Sequence, residues 1–331
     1  MDGFQLGKLP IPVLKRTVMS MTGSPSAKVI LGPKAGVDFA VVKLGGGFLV
    51  ASSDPVTGVG SNTGWYAVNV SANDVATSGN RPQYMETVIL LPEKAREEDL
   101  AEVSEQVHRA AKKLHIAVVG GHTEVTPGLG RPIVVATVFS FVSRYISAEG
   151  GKPGDTIMMT KTAGLEGTCA LARRAEERGR ALSPSVIRSA RALEGRLSVV
   201  EEAVRSFRTG AVHAMHDCTE GGVLGAVYEM SVASSLGFTL NEDSVPIAGA
   251  TRGIAGMLKL DPLKLLGSGS LLLAVEGGRE KEVRRALRGT KVSEIGTFEA
   301  GARVLLKAGG ARRVVRAAPT DEFWRAYSKL G

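Results

Sequence analysis

The stretch VNVSANDVATSGNRP, residues 68 to 82, combines a helical apolar pattern with one acid and two amides. The apolar residues at helical spacing are Trp65, Val68, Ala72 and Val75. This pattern predicts a helix over 65–79, with Gly79 as the left-handed residue that follows a helix end. A buried helix in an α/β or α+β protein is the simplest interpretation of the apolar part.

The polar residues of this predicted helix need a separate explanation. Asn69 and Asn73 are one turn apart and share a face, and Asp74 is adjacent to them. Asp74 lies near the C-terminal end, where the helix dipole disfavours a negative charge. Either a bound cation or a salt bridge to Arg81 would compensate it. We favour a metal or phosphate role, because another acid precedes it at a strand end.

That other acid is Asp54, in SSDPVTGVGSNTG (52–64), directly after a predicted strand over 47–53. An acid above a loop that contains Gly58, Gly60 and Gly64 is a typical place for a Mg²⁺ ligand, since the glycines let backbone amides approach phosphates. The alternative is a turn acid that caps its own backbone.

Two further blocks place an acid near the end of a predicted strand. In VVGGHTEVTPG (118–128), an apolar strand and two glycines precede His122, Thr123 and Glu124, and in GPKAGVDFAVV (32–42), Asp38 enters a strand. Oxygen ligands without a Cys/His cluster favour Mg²⁺ bound together with substrate phosphates over Zn²⁺.

The second half offers two phosphate candidates at helix starts. HDCTEGGVLGAVYEM (216–230) places His216 and Asp217 before Gly221, Gly222 and a helix, although its Thr and acids could equally be helix caps. TKTAGLEGTCAL (160–171) carries Lys161, Gly164 and Gly167. Neither is a Walker A loop. Cys218 is expected to be a small core residue rather than a nucleophile.

Strands and helices alternate along the chain, which predicts an α/β or α+β fold. The predicted strands are 47–53, 83–91, 116–121, 132–142, 156–162, 211–215 and 270–277. The predicted helices are 65–79, 94–114, 166–179, 184–207, 221–235 and 279–287. The Gly- and Pro-rich segment 147–155 predicts a boundary between a domain of residues 1–150 and one of residues 151–331.

Composition restricts the classes of function. The 331 residues are 44% hydrophobic and 22% charged, with a formal net charge of +8. The basic cluster Arg312, Arg313 and Arg316 has no interleaved aromatic residues, so a nucleic-acid role is not expected. Two isolated cysteines and no apolar run of membrane-spanning length predict a cytoplasmic protein with no membrane partner.

Seven ordered blocks resemble the aminoimidazole ribonucleotide (AIR) synthetase superfamily, and within it most closely the hydrogenase-maturation HypE branch. They are GVDFAVV, SSDPVTG, VNVSANDVATSGNRPQYM, GGHTEVTP, GGKPGDTIMMTKTAGLEG, MHDCTEGGVLGAVYEM and KLDPLKLLGSGSLLLAV, and they span about residues 36 to 276. The resemblance implies a two-domain PurM-like fold, with an N-terminal αβ domain that dimerises through its strands and a C-terminal αβ sandwich domain.

The resemblance also implies ATP and Mg²⁺ in the cleft between the domains. Metal ligands would be Asp38, Asp54 and Asp74, and catalytic residues Asp74, His122 and Glu124. Residues that bind the nucleotide would be Asn69, Asn73, Gly120, Gly121, Thr123, Lys161, Gly164, His216, Asp217, Gly221 and Gly222.

Three departures from the branch limit what can be transferred. The printed sequence ends TDEFWRAYSKLG, without the terminal Cys that receives a carbamoyl group in HypE, so thiocarbamate chemistry is not expected. His122 stands where the superfamily usually has an acid, and Cys218 replaces a small residue. We therefore expect an ATP-dependent, Mg²⁺-requiring phosphoryl-transfer enzyme that activates an amide, carboxylate or similar oxygen. The alternative is a non-catalytic nucleotide-binding or scaffold paralogue.

Overall fold

The computed structural model describes residues 3–57, 61–180 and 182–330. Gly58 and Gly60, which the sequence predicts to lie over phosphates, are outside the described residues. Within the described ranges the strands form two sheets, one built from each half of the chain. Since the first sheet ends at residue 142 and the second begins at residue 156, we propose the domain boundary at 150/151.

The first half forms a six-stranded sheet with helices. Its elements are α1 (Ile11–Arg16), β1 (Val29–Leu31), β2 (Ala40–Leu44), β3 (Gly47–Val56), α2 (Thr63–Ala76), β4 (Tyr84–Leu91), α3 (Glu97–Leu114), β5 (Ala117–Val125) and β6 (Ile133–Val142). The strand order is β1-β2-β3-β6-β4-β5, antiparallel except for the parallel pair β4 and β5.

The second half forms a seven-stranded sheet. Its elements are β7 (Thr156–Thr160), α4 (Leu165–Glu177), α5 (Pro184–Glu194), α6 (Val200–Phe207), β8 (Val212–Asp217), α7 (Gly222–Ala233), β9 (Gly237–Asn241), α8 (Gly249–Leu258), β10 (Leu271–Val275), α9 (Glu280–Ala286), β11 (Val292–Glu299), β12 (Arg303–Leu306), β13 (Arg312–Val314) and α10 (Phe323–Leu330). The order is β13-β12-β9-β11-β7-β10-β8, with only β12 and β9 parallel among these described strands. None of the described helices is both long and apolar enough to cross a bilayer.

Helix α2 is the central element of the molecule. It is buried along nearly its whole length, as expected for a helix that is apolar or small on every face. It packs on β3, β6 and α3 of its own half and on α6 and β8 of the other half. Gly79 follows it with a φ of 88°, as predicted, although the helix ends at Ala76. The two halves therefore share one helix as part of their common core.

The predicted helix over 184–207 is wrong as a single element. It is divided into α5 and α6 by the segment 195–199, which has no regular structure. The carbonyl groups of residues 195–198 accept from the side chains of Lys113, Asn73 and Lys161 in place of backbone amides of a continuing helix. Helical periodicity on both sides hides such a break.

Asn73 of α2 binds this interrupting segment from the first half. Its Nδ2 donates to the Leu197 carbonyl at 2.9 Å, and its Oδ1 accepts from the Val199 amide at 2.8 Å. Asn73 is completely buried, so neither bond competes with water. The amide side chain therefore replaces the missing helical partners and joins α2 to the second half.

Lys161 binds the same segment from the second half. Its Nζ donates to the carbonyls of Arg196 (3.1 Å) and Ser198 (2.5 Å), and it forms an ion pair with Glu202 at 2.9 Å. Burial lowers the pKa of Lys161, and the nearby Glu202 opposes that shift. Lys161 is thus part of a buried structural network.

We predict that Asn73→Ala lowers the free energy of unfolding by about 2 kcal/mol or more, because it leaves a buried amide and a buried carbonyl unpaired. Chemical denaturation measures the loss. Hydrogen exchange at residues 195–199 should accelerate in the variant.

The matched control is Asn69→Ala, one turn earlier on the same helix and nearly as buried. The Asn69 side chain donates within its own helix, to the Trp65 carbonyl at 2.8 Å. Equal losses of stability in the two variants would contradict the role given to Asn73.

Candidate functional site

A cleft of about 680 Å³ lies where the two halves meet the ends of the described chain. The first half contributes mainly Val37, Asp38, Ser52, Asp54, Val70 and Asp74. The second half contributes Glu166, Thr219, Glu220, Leu266 and Ser268. A rim is formed by Leu6, Gly7, Lys8, Phe323 and Trp324. The cleft is strongly acidic, with five carboxyl groups in its lining.

Strand β3 and helix α2 bring Asp54 and Asp74 together. Alternation along β3 puts Ser52 and Asp54 on the sheet face that α2 covers. The Ser52 hydroxyl donates to Asp74 Oδ2 at 2.8 Å. Burial, followed by the charges of Asp54 and Asp217, raises the pKa of Asp74 well above its usual range. No Lys, Arg or His forms an ion pair with Asp74 among the described residues, and Arg81, the alternative predicted from the sequence, pairs with Glu201 instead.

Asp38, His216 and Asp217 form a second group of possible ligands. One ligand atom from each lies within 4.8 Å of the others. Among the described residues, both carboxylate oxygens of Asp217 and Oδ2 of Asp38 are buried without a hydrogen-bond partner. Burial raises the pKa of Asp38 to about 6, against the effect of His216, and burial with nearby Asp38 raises that of Asp217.

A row of ion pairs, alternating between acidic and basic side chains, extends from Asp38 to the rim. His216 Nε2 lies 3.1 Å from Asp38 Oδ1 and 3.3 Å from Glu229 Oε2, and Lys8 Nζ lies 2.6 Å from Glu229 Oε1. Burial opposes the charge on His216, but Asp38 and Glu229 outweigh it and raise its pKa to about 9. Burial likewise opposes the charge on Glu229, but Lys8 and His216 lower its pKa to about 2. These ion pairs hold Asp38 in place in the lining of the cleft.

These carboxyl groups fit a hard divalent cation. Buried acids that lack donors are destabilised when ionised, and a cation would supply the missing positive charge. Oxygen ligands from separate elements are typical of Mg²⁺ that is bound together with phosphates. Asp38, Asp54, Asp74 and Asp217 are the residues that would hold it, and a cation at this position would supply charge neutralisation for bound phosphates.

Several residues predicted to bind the nucleotide lie outside the lining of this cleft. Asn69 and Asn73 bond to backbone groups, and Lys161 is bound to residues 196–202. Gly164 has a φ of 65° just before α4, where an added Cβ would lie 3.1 Å from Leu265. None of these four residues is part of the cleft lining, and their predicted role in binding a nucleotide stays a prediction.

His122 lies within a strand, whereas the sequence predicted that it follows one. Strand β5 was expected to end at residue 121, but it continues in register with β4 to Val125, so His122, Thr123 and Glu124 lie within the strand. Every residue of β5, including Gly120 and Gly121, is exposed. His122 Nε2 lies 3.1 Å from Glu124 Oε2. A catalytic role for His122 and Glu124 stays a prediction, and neither residue lines the cleft.

The start of α7 is also covered. The Gly221 amide donates to Asp321 Oδ2 at 2.6 Å, and a Cβ on Gly222 would lie 2.6 Å from the Leu263 carbonyl. Burial raises the pKa of Asp321 to about 7. This helix start is therefore capped by Asp321, and the predicted role of Gly221 and Gly222 in binding a nucleotide remains a prediction.

Sequence reasoning missed Lys8, Glu166 and Trp324. Glu166 lies in the quoted block 160–171, and burial raises its pKa to about 7. Lys8 and Trp324 lie near opposite ends of the chain, and only the fold brings them together. Cys218 is buried, as expected of a core residue, and so is Cys169. Both thiols are free, and burial raises the pKa of each.

The fold and the site define a two-domain α/β protein with an acidic cleft that suits a divalent cation and an anionic ligand. The family model for the N-terminal domain of AIR synthase related proteins matches residues 36–142, and the model for their C-terminal domain matches residues 152–308. The chain belongs to the AIR synthase related family. The expected PurM-like fold and the superfamily resemblance are therefore confirmed.

The chain is also similar to several HypE proteins. It is 30% identical over 251 residues to the carbamoyl dehydratase HypE of Escherichia coli strain K12. The aligned region covers 71% of this chain and 68% of that protein. A solved HypE–HypF complex has a TM-score of 0.76 at 18% identity and covers 92% of this chain and 99% of that one. A solved hydrogenase maturation protein HypE in complex with ATP has a TM-score of 0.72 at 21% identity and covers 94% and 93%.

We predict that the metal-free protein loses stability as the pH rises from about 4 through about 6, where Asp38 ionises, and that the loss continues at higher pH as Asp74 and Asp217 ionise. Asp38, Asp74 and Asp217 have raised pKa values in the folded state, so their contribution is present at low pH and is lost as they ionise. Thermal unfolding in the presence of a chelator measures this change.

Added Mg²⁺ should reverse the loss, because binding needs ionised carboxylates and releases protons. The increase in melting temperature caused by millimolar MgCl₂ should be larger at about pH 8 than at about pH 5. An increase that is the same at both pH values would count against these acids as the ligands.

Proposed function

We propose that this protein is an ATP- and Mg²⁺-dependent phosphoryl-transfer enzyme that activates an amide, carboxylate or similar oxygen of an unidentified acceptor. The observation that carries the proposal is the convergence of Asp38, Asp54 and Asp74 on one cleft. Asp217 lies beside Asp38, and these two acids have buried oxygens that lack donors. Similarity to a HypE protein solved with ATP supports the choice of nucleotide.

The chain's own residues would act mainly by positioning. Phosphoryl transfer needs little covalent participation from the protein, and most catalysis comes from alignment and charge stabilisation. Ser52 orients the Asp74 carboxylate, and His216 orients that of Asp38. The acceptor would be a small molecule or a group carried by a partner protein, as the solved complex of a HypE with HypF suggests.

The alternative is a nucleotide-binding or scaffold protein that does not catalyse a reaction. It is favoured by the position of His122 and Glu124, which lie on an exposed strand and not in the cleft lining. Such a protein would bind Mg·ATP without releasing ADP in the presence of any acceptor. Binding and turnover therefore need separate measurements.

We also propose that the protein is a homodimer formed through the open face of the first sheet. Tyr84, Phe139 and Phe141 form an aromatic cluster there, with Tyr84 and Phe139 ring centroids 5.7 Å apart. Tyr84 and Phe141 are exposed, and His122 and Glu124 share this face through their register with β4. A second copy would cover this apolar area and would bury His122 and Glu124 between subunits.

Phe141→Asp is predicted to raise the dimer dissociation constant by about tenfold or more, because it puts a charge into an apolar interface. Light scattering coupled to size-exclusion chromatography gives the mass. Phe4→Asp is the matched control, since Phe4 is exposed outside the sheet. A monomeric parent protein would contradict the dimer.

The proposed function itself is tested by calorimetric titration of Mg·ATP into the purified protein, with Mg²⁺-free ATP as the comparison. We expect binding that requires Mg²⁺, and Asp74→Asn should weaken it by at least about tenfold, because a ligand charge is lost. Asp243→Asn, at an exposed position of the short 3-10 helix Glu242–Ser244, is the control that removes one carboxylate elsewhere.

Turnover is followed as ADP release with candidate acceptors that carry an amide or a carboxylate. If the parent protein does not bind Mg·ATP at millimolar concentration, the proposed function is wrong. If it binds Mg·ATP but turns over no acceptor, the non-catalytic alternative gains support.

A further inference from the structure

Lys8 is the single Lys or Arg among the described residues that line the cleft. The same lining holds five acids: Asp38, Asp54, Asp74, Glu166 and Glu220. A cleft lined by five acidic side chains and one basic side chain repels a polyanion unless cations are present. Bound Mg²⁺ would supply some of that charge, and Lys8 is the cation that the chain itself supplies.

The backbone at Lys8 is fixed by contacts with the other end of the described chain. The Lys8 amide donates to Glu220 Oε2, and Glu220 Oε1 accepts from the Trp324 indole at 3.3 Å. Gly7 has a φ of 103°, and a Cβ there would lie 2.7 Å from the Trp324 ring. A glycine is needed at this position for both reasons. The Lys8 Cα is therefore held at the rim of the cleft.

The side chain of Lys8 is less restricted than its backbone. It is 48% exposed, whereas its partner Glu229 is only 7% exposed. A lysine carries its ammonium on a flexible stem of four carbons and can change partners without moving its backbone. The fixed Cα and the partly exposed stem allow the ammonium to turn toward the cleft.

Glu229 can release Lys8 without becoming an unpaired buried charge. Its second carboxylate oxygen, Oε2, lies 3.3 Å from His216 Nε2. Removing the single partner of a buried charge is costly, but here the imidazole remains beside Glu229 when Lys8 leaves. The Lys8 ammonium can therefore move from Glu229 to an anionic ligand at a small cost in free energy.

We propose that Lys8 is a catalytic residue whose ammonium leaves Glu229 to bind the terminal phosphate of a nucleoside triphosphate in this cleft. The inference rests on the proposed function and identifies the group that would bind the transferred phosphoryl. In the transfer, a lone pair of the acceptor oxygen forms the bond to the γ-phosphorus as the bond to the β,γ-bridging oxygen breaks. The electron pair of that bond leaves with the nucleoside diphosphate.

Lys8 gains and loses no proton in this step and acts through its charge. The ammonium would neutralise charge on the equatorial oxygens of the transferred group, where the transition state concentrates it. An ammonium suits this task as a compact point charge. Because the contact is to the terminal phosphate, it distinguishes ATP from ADP.

The experiment compares calorimetric affinities of Lys8→Met for Mg·ATP and Mg·ADP with those of the parent protein. We expect the affinity for Mg·ATP to fall by about tenfold or more and that for Mg·ADP to change by less than about twofold. Lys34→Met is the matched control. Lys34 is a similarly exposed lysine (53%) in the same half that pairs with Glu149.

Equal losses for the two nucleotides, or no loss for Mg·ATP, would overturn the assignment of Lys8. Thermal unfolding verifies that the variants fold, and Lys8→Gln is a second neutral variant that can still donate to Glu229. Lys8→Arg keeps the charge and is expected to keep the preference for ATP over ADP. If the parent protein binds no Mg·ATP, both the proposed function and the role of Lys8 are wrong. If the parent protein binds Mg·ATP and Lys8→Met binds it equally well, only the role of Lys8 is wrong.

Discussion

The structure depends on the complete burial of helix α2 between the two halves. Its small and apolar residues allow sheet strands, α3, α6 and β8 to pack around it, and Asn73 joins it to the segment between α5 and α6. Hydrophobic burial is not directional, whereas the two bonds of Asn73 fix one relative position of the halves. The carboxyl groups of the cleft come from both halves, so that position determines their geometry.

The acidic site is a second consequence of the same arrangement. Asp74 follows Asn73 in sequence, so the helix that joins the halves also carries an acid into the cleft between them. Without a ligand, the ionised carboxylates of Asp38, Asp74 and Asp217 destabilise the protein, because each is buried close to another acid. The burial of Asp217 with both oxygens unpaired is an example of structure that is retained at the expense of stability. Such a cost is typical of a site that binds a cation.

The sequence predicted β3 to β8 and β10, and the helices α2 to α4, α7 and α9, because their periodicities are strong, but it did not predict β1, β9, β11 to β13, α1, α8 or α10. It identified Asp54 as an acid after a strand over 47–53, whereas β3 continues through Asp54 to Val56. It did not predict the break at 195–199 or the extension of β5, since these depend on long-range bonds and on register. It predicted that Asn73 and Lys161 bind the nucleotide, which stays a prediction, and it did not indicate that both side chains bind backbone at 196–199. It missed Lys8 and Trp324, because their proximity is a property of the fold alone.

The shared helix also has a consequence for how a ligand enters. If the halves swung apart as rigid bodies, α2 would be stripped of one set of neighbours and the Asn73 bonds would break. Hinge opening is therefore a costly route. The rim of Leu6, Gly7, Phe323 and Trp324 is held mainly by Glu220 and by contacts near the ends of the described chain. A ligand should therefore enter the cleft past this rim, while the two halves keep their relative position.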